Sequence, residues 1–568
     1  MQSERKSSNL WLPVWIALGI GIGIIIGNRF SIFTRSSDVQ GSAKINAVLD
    51  YIRKSYVDTV NVDELIESAL INVVKGLDPH SAYIPASQMK RVNEEMEGHF
   101  SGIGVSFYML NDTIIVTSLI PGGPSEAAGI TSGDRIVTVN DTVVAGKKKT
   151  NDDVFSILRG EKGSKVKLGI ARSGIKGLKN ITITRDDIPM NTVQTSYMLS
   201  KEIGYIKVGS FGYNTYSEFI SAISKLKSLG SKSFVIDLRG NVGGSLETVV
   251  AMVNEFLNKG QLIVYAEGRD FPRAENFSDG SGTCKNNQLV VLVDELSASA
   301  SEIFSGAIQD HDRGLVIGRR SFGKGLVQSE NKFRDGSALR LTVARYYTPS
   351  GRSIQRKYEK GHYDEYEMEA INRYMAGNYA ENAAQKKTQV FKTDGGRPVY
   401  GGDGINPDIF MPRDTIGINS YYNALANKNI ILDYAMMYSD ANRKKLSNFK
   451  DWKEMHKYLQ SQRLLGSVVQ YAANKQIAPR PYYIQESARL IETQLDAFII
   501  RNFFGEEAFF SVLQSDDILI NKAVKLIESG KASPQAVAAA KYLSVWKDNV
   551  SSQFSPWEDP NYNNTLVG

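Results

Sequence analysis

The stretch QLVVLVDELSASASEIFSGAIQDHDRGLVIGRRSFGKGLVQ, residues 288–328, decides the fold. Gln288 to Val293 is an apolar run of the kind a parallel strand needs when it is buried on both faces. A helical pattern through Ile303, Ala307 and Ile308 follows, and Leu315-Val316-Ile317 reads as another buried strand. A strand that turns sharply into a helix sets a small hydroxyl at the helix N-terminus. Free N–H groups and the positive dipole end lie there and stabilise an oxyanion. Ser297, Ser299 and Ser301 fall at that point. Serine is also an ordinary N-cap, so a catalytic reading needs a base. His311 comes 12 residues after Ser299, roughly 18 Å away along a continuous helix. His80, His99, His362 and His456 are remote in sequence. Lys324, set between Gly323 and Gly325, can serve if burial makes it neutral near pH 7.

Ser-Ala-Ser-Ala-Ser-Glu at 297–302, Phe-Gly-Lys-Gly at 322–325 and Gln328 together resemble the carboxyl-terminal processing peptidases, also called tail-specific proteases. The resemblance runs from about residue 42 to about residue 413. It implies that Ser299 is the nucleophile, that Lys324, 25 positions later, is the base, and that Gln328 orients the lysine. It also implies an oxyanion hole made by the amides of Ala300 and Gly244. The function implied is a serine endopeptidase that captures the free C-terminal tail of protein substrates on a PDZ domain. It would cut them for processing or degradation in the cell envelope. No cofactor is implied, and no metal is expected: HExxH is absent and the five histidines are dispersed. The family offers homodimers built through N-terminal helices, so a homodimer is one arrangement; an adaptor protein is another partner to consider.

A length of 568 residues predicts several domains, and 42% hydrophobic with 23% charged residues fits globular protein. A net charge of +6 is mild at this length, and the absence of a basic run long enough to track phosphates argues against nucleic acid. The single cysteine, Cys284, excludes an intrachain disulfide and an all-Cys metal site and reads as a solvent-side loop residue. Residues 11–27 carry no charge, and Arg5 and Lys6 precede them. This predicts a transmembrane anchor, with residues 1–10 cytoplasmic, 28–41 a tether and the remainder outside. A cleaved signal peptide is the rival, but Asn28-Arg29-Phe30 makes a poor cleavage site. With the family resemblance, the location becomes a bacterial inner membrane, with the catalytic part in the periplasm.

Residues 42–98 form a helical segment, in which Asp78-Pro79-His80-Ser81 reads as a structural turn. Residues 99–187 resemble a PDZ domain, with Ile103, Gly104 and Val105 as carboxylate-binding amides and Asn151 to Leu158 as the helix beside the peptide groove. Residues 188–413 are the peptidase core, an α/β layer with added strands. Its Gly240–Gly244 turn lacks the Gly-x-Gly-x-x-Gly spacing of a dinucleotide site. An insertion at 357–403 has no readable role. Residues 414–568 turn helical, either a packed appendage or a surface for an adaptor. The fold class is thus multidomain α+β. The competing readings are a catalytically inactive membrane-anchored PDZ scaffold and a Ser-x-x-Lys acyltransferase. Ser321/Lys324 fits the latter, but so do Ser87/Lys90, Ser173/Lys176 and Ser224/Lys227, and no Ser-Asp-Asn or Lys-Thr-Gly accompanies them.

Overall fold

The computed structural model describes residues 41–172, 174–359, 363–376 and 389–538. The expected anchor at 11–27, the expected cytoplasmic residues 1–10, nearly all of the tether, His362 and the chain beyond 538 lie outside the described residues. Among the described residues no helix is long and apolar enough to cross a membrane.

The chain divides into two units, residues 1–74 and 75–568. The described part of the first is a pair of helices, Gly41–Ser55 and Val62–Lys75, the second ending at the boundary. Ile45, Val48, Tyr51 and Val73 on them are exposed.

The second unit is built on a six-stranded sheet. Its order is Val193–Met198, Ile203–Val208, Ser233–Asp237, Gln288–Val293, Leu315–Gly318, Ile409–Phe410. The first pair is antiparallel and the rest are parallel. Side chains alternate across a strand, which explains the continuous apolar runs. Ile206, Ile236, Val291 and Val316 face one core, shared with the helices Thr215–Ser228, Leu246–Asn254 and Ala300–Asp310. Tyr205, Val235, Val290, Leu292 and Ile317 face the other core, closed by Leu519, Ile520 and Ala523 of the helix Ile518–Glu528. The C-terminal region therefore supplies a layer of the catalytic domain. The rest of that region packs its own core around the helix Pro481–Leu513.

A second sheet carries Ala82–Ile84 on one edge of the long strand Ala338–Tyr347 and Leu326–Lys332 on its other edge. A third is the PDZ sheet, which begins at the edge strand Val105–Leu110 and is closed by the capped helix Asn151–Leu158.

Cys284 corrects the sequence expectation. It is fully buried in the main core, because its loop folds back so that Cys284 N–H donates to Glu255 O at 2.9 Å. The thiol behaves there as a small apolar group.

Candidate active site

The helix Ala300–Asp310 starts where the strand Gln288–Val293 ends, and every residue in it is buried. Hydrogen bonding separates the serines. Ser297 Oγ donates to Leu238 O at 2.8 Å, and Ser301 Oγ donates to Asn241 O at 2.8 Å. Both are fully buried and pin the helix start onto the Gly-rich turn. Ser299 is half-buried and sits at φ 55°, ψ −113°. Non-glycine residues avoid such backbone, and it persists only where surroundings enforce it.

Glu302 supplies that enforcement. Its carboxylate is fully buried. One oxygen accepts Ser299 N–H at 2.9 Å and Lys324 N–H at 2.8 Å. The other accepts Ser321 Oγ–H at 2.5 Å and Gly323 N–H at 2.7 Å. Burial pushes this carboxyl above its ordinary value, against the pull of the hydrogen bonds from Ser321, Lys324, Gly323 and Ser299. Phe322 N–H to Ser297 O, 2.9 Å, makes a further tie between the two loops.

Lys324 Nζ donates to Gln328 Oε1 at 3.1 Å. Burial lowers the amine below its usual range. Arg340 lowers it further, and Glu302 and Asp78 oppose the shift. Gln328 is itself held, since its Nε2 donates to His80 O. His80 stands in the turn that reads as structural. Asp78 Oδ1 accepts the amides of His80 and Ser81 at 2.8 Å, and Ser81 Oγ donates to Asp78 Oδ2 at 2.6 Å. The turn is a packing device that also bears on the lysine. Burial and the Lys324 charge push the His80 imidazole from 6.5 down to about 4, so the ring is neutral at pH 7.

The Gly-rich turn abuts Ser299. A Cβ on Gly243 would fall 2.8 Å from Ser299 Cβ and 3.1 Å from Ala300 N, so only glycine fits. Gly243 N–H is taken by Asn241 Oδ1 at 2.8 Å. The next amide is that of Gly244, a solvent-exposed residue. Ala300 is the first residue of the helix that follows Ser299.

Of the described histidines other than His80, none stands at this site. His311 caps the far end of the helix and bonds Asp394 at 2.7 Å and Leu262 O at 2.7 Å. His99 lies beside Glu97, and His456 beside Asp496. No group of three metal-ligating side chains occurs among the described residues.

Known proteins resemble this chain in sequence. Residues 202–364 match peptidase family S41, 115–172 match the PDZ domain, and 421–505 match a family of unknown function. A probable CtpA-like serine protease of Staphylococcus aureus (strain MRSA252) is 34% identical over 371 residues, covering 63% of this chain and 73% of that protein. Its counterpart in Staphylococcus haemolyticus (strain JCSC1435) is 37% identical over 347 residues, covering 61% and 69%.

The chain belongs to peptidase family S41.

It is accordingly a CtpA-like serine protease, a hydrolase with a PDZ domain. Among solved structures, the photosystem II D1 C-terminal processing protease aligns at 29% identity over 54% of this chain and 88% of that one, with a TM-score of 0.31.

In the PDZ domain of this S41 peptidase, Val105–Leu110 is an edge strand, open to a further strand on one side. Gly104 has φ 73°, and Ile103 is buried. The carbonyls of both are engaged, by Ser125 N–H at 3.1 Å and Ile120 N–H at 3.1 Å. Across the groove, Phe107 of the edge strand meets Phe155 of the helix edge-on at 5.2 Å. The structure thus links Ser299, Lys324 and Gln328 through Glu302 and sets the Gly243–Gly244 turn against Ser299 and Ala300. Ile103, Gly104 and Val105 stand apart from this site, in the PDZ groove.

Sequence reasoning passed over two parts of the site. Glu302 had a signal, a Glu three residues after a Ser, the spacing of a capping box. The His80 carbonyl had none, because its partner is a side chain 248 positions away.

Proposed function

We propose that this S41 protease cleaves protein substrates that present a free C-terminal tail, with Ser299 as nucleophile and Lys324 as general base. The observation that carries the reading is the shared Glu302 oxygen, which receives the amides of both Ser299 and Lys324. Neutral Lys324 donates one N–H to Gln328 Oε1, which turns its lone pair toward other acceptor work. It takes the Ser299 proton as the hydroxyl attacks the peptide carbonyl, and returns that proton to the leaving amine. The amides of Gly244 and Ala300 receive the tetrahedral oxyanion, a contribution of about 3 kcal/mol per donor in comparable sites. The PDZ amides of Ile103, Gly104 and Val105 hold the tail carboxylate while its strand adds to Val105–Leu110. Phe107 and Phe155 suit an apolar terminal side chain.

The uncharged stretch 11–27, preceded by Arg5 and Lys6, supports an anchor in a bacterial inner membrane with the catalytic part in the periplasm. The exposed apolar residues of the two N-terminal helices suit a second copy of the chain. An adaptor protein is a further partner in this reading. An inactive membrane-anchored scaffold is the second reading, and hydrolysis separates the two. The full-length chain is incubated with a model protein bearing an apolar C-terminal tail, free or amidated, beside Ser299→Ala and Lys324→Ala. Cleavage lost in both variants and weakened by amidation is expected. Cleavage that survives Lys324→Ala removes the lysine from the role of base. Tail binding with no cleavage by the wild type supports the scaffold.

A further inference from the structure

The helix Tyr363–Ala376 lies within the insertion at 357–403 and carries no group that the proposed chemistry uses. It is nevertheless seated on the loop that bears the base. Tyr363, Tyr366, Ala370 and Arg373 form its buried face, at the spacing of one helix side, while Met368, Ile371 and Met375 face solvent. Arg373 donates to Arg320 O at 2.9 Å and to Ser321 O at 3.1 Å. Glu369 pairs with Arg320 at 3.1 Å, and Arg356 donates to Tyr366 O at 2.6 Å.

The Tyr366 hydroxyl is the convergence point. It donates to Gly323 O at 3.3 Å, receives Gln355 Nε2–H at 3.1 Å, and lies 3.0 Å from His80 Nε2. A phenol has one proton and two acceptor positions. With the proton on Gly323 O, the hydroxyl accepts from His80, which fixes His80 as the neutral tautomer protonated at Nε2. Each of these partners touches the lysine's frame. Gly323 precedes Lys324. Gln355 Oε1 accepts the amide of Gly325, which follows Lys324, at 2.9 Å. The His80 carbonyl holds Gln328, which holds Lys324 Nζ. Rings close the cluster: Tyr366 meets His80 at 5.3 Å, Phe322 at 5.8 Å and Tyr358 at 6.1 Å, with the Arg356 guanidinium 4.1 Å above it.

We propose that Tyr366 is a positioning residue for the general base, and that the inserted helix is a fixed part of the base's frame. The proposal rests on the assignment of Lys324 as base. Its physical content is that one buried hydroxyl holds three groups that set where the lysine amine lies and how dry it is. A Phe in its place keeps the ring, removes the partner of His80 Nε2, and leaves Gln355 Nε2 with Arg356 O at 2.7 Å alone.

The test is Tyr366→Phe in the full-length chain, with two readouts across pH. One is steady-state hydrolysis of the tailed substrate. The other is the rate of Lys324 acylation by acetic anhydride, quantified by mass spectrometry, which reads the amine whether or not the protein cleaves. The expected result is kcat lower by roughly 10-fold with KM little changed, as for an interaction that matters at the chemical step. The acid limb of kcat and the acylation profile both move to higher pH, because a wetter amine holds its proton longer. Tyr363→Phe, whose hydroxyl bonds Gly76 O outside this chain of contacts, leaves both profiles in place. His80→Gln cuts one arm of the network and gives a smaller shift in the same direction, which covers the case of a Tyr366→Phe variant that does not fold. An unmoved acid limb and unmoved acylation in Tyr366→Phe overturn the proposal, even if the variant is less stable. If the wild type cleaves nothing, the assignment of the base falls. The acylation profile then decides the role of Tyr366 alone, a shift supporting it and no shift overturning it.

Discussion

Glu302 joins loops that meet nowhere else in sequence: its carboxylate receives the amides of Ser299, Gly323 and Lys324 and the hydroxyl of Ser321. Glu302→Gln puts an amide N–H₂ against one pair of those donors. Hydrogen bonds to a buried charge are worth about 1.5–3 kcal/mol, so kcat is expected to fall by roughly 10–100-fold in tailed-substrate hydrolysis. Lys324→Arg puts a permanent cation in place of the proposed base, because a guanidinium does not deprotonate. It is expected to lower kcat by at least ~100-fold, where a purely electrostatic role for the lysine would retain most of the rate. For the wild type the sign follows from burial. Lys324 is lowered below 10.5; with its neutral form as the proposed base, hydrolysis of the tailed substrate is expected to rise with pH through the lowered pKa. His80 supplies a matching stability prediction. It binds its proton at about 4 folded against 6.5 unfolded, so the unfolded chain holds more protons between those values. Stability is therefore lost as pH falls from 6.5 to about 4. Urea denaturation of His80→Gln across that window should show a flatter slope than the wild type.

The helix Ile518–Glu528 shows what an amphipathic pattern leaves open. Its stripe of Leu519, Ile520, Ala523 and Ile527 marks an apolar face, and that face covers the reverse side of the catalytic sheet. Asp517 caps the helix, accepting Leu519 N–H at 2.9 Å and Ile520 N–H at 3.0 Å. The same carboxylate receives Arg239 at 2.7 Å, and Arg239 also grips the buried Asp237. The cap thus reaches the strand end from which the Gly-rich turn departs. Leu519→Ala is expected to destabilise the peptidase domain by about 2–5 kcal/mol, the range for a buried leucine. Asp517→Ala removes the cap at a cost of about 1 kcal/mol or more. Denaturant titration checks both, and an effect near zero would make the C-terminal helix a detachable appendage.

Across the whole catalytic unit, the C-terminal helices also hold the PDZ sheet. Tyr108 bonds Asp433, Arg135 pairs with Asp440, and Arg443 donates to Ser132 Oγ at 3.2 Å. Tyr108 projects from the edge strand Val105–Leu110, so the PDZ domain is braced by the region that closes the catalytic sheet. Asp440→Arg sets like charges together. Faster limited proteolysis of the PDZ linkages is expected, with recovery in the Arg135→Asp/Asp440→Arg double variant, since paired charges couple and distant ones do not.

The sequence by itself determined what is local. Continuous apolar runs marked the buried strands, and helical stripes marked the faces to be buried. The resemblance to the processing peptidases, matched at Ser299, Lys324 and Gln328, implied the candidate dyad and its support. These signals survive in a string because each depends on neighbours within a few turns or on fixed offsets. Tertiary structure alone decided the partners. Cys284 went into the core because its loop folds back. The helix Ile518–Glu528 found the sheet, and the insertion brought Tyr366 to His80 across 286 positions. An apolar face states that it must be covered and a buried polar atom states that it must be paired; neither states by what, because packing of remote segments makes that choice.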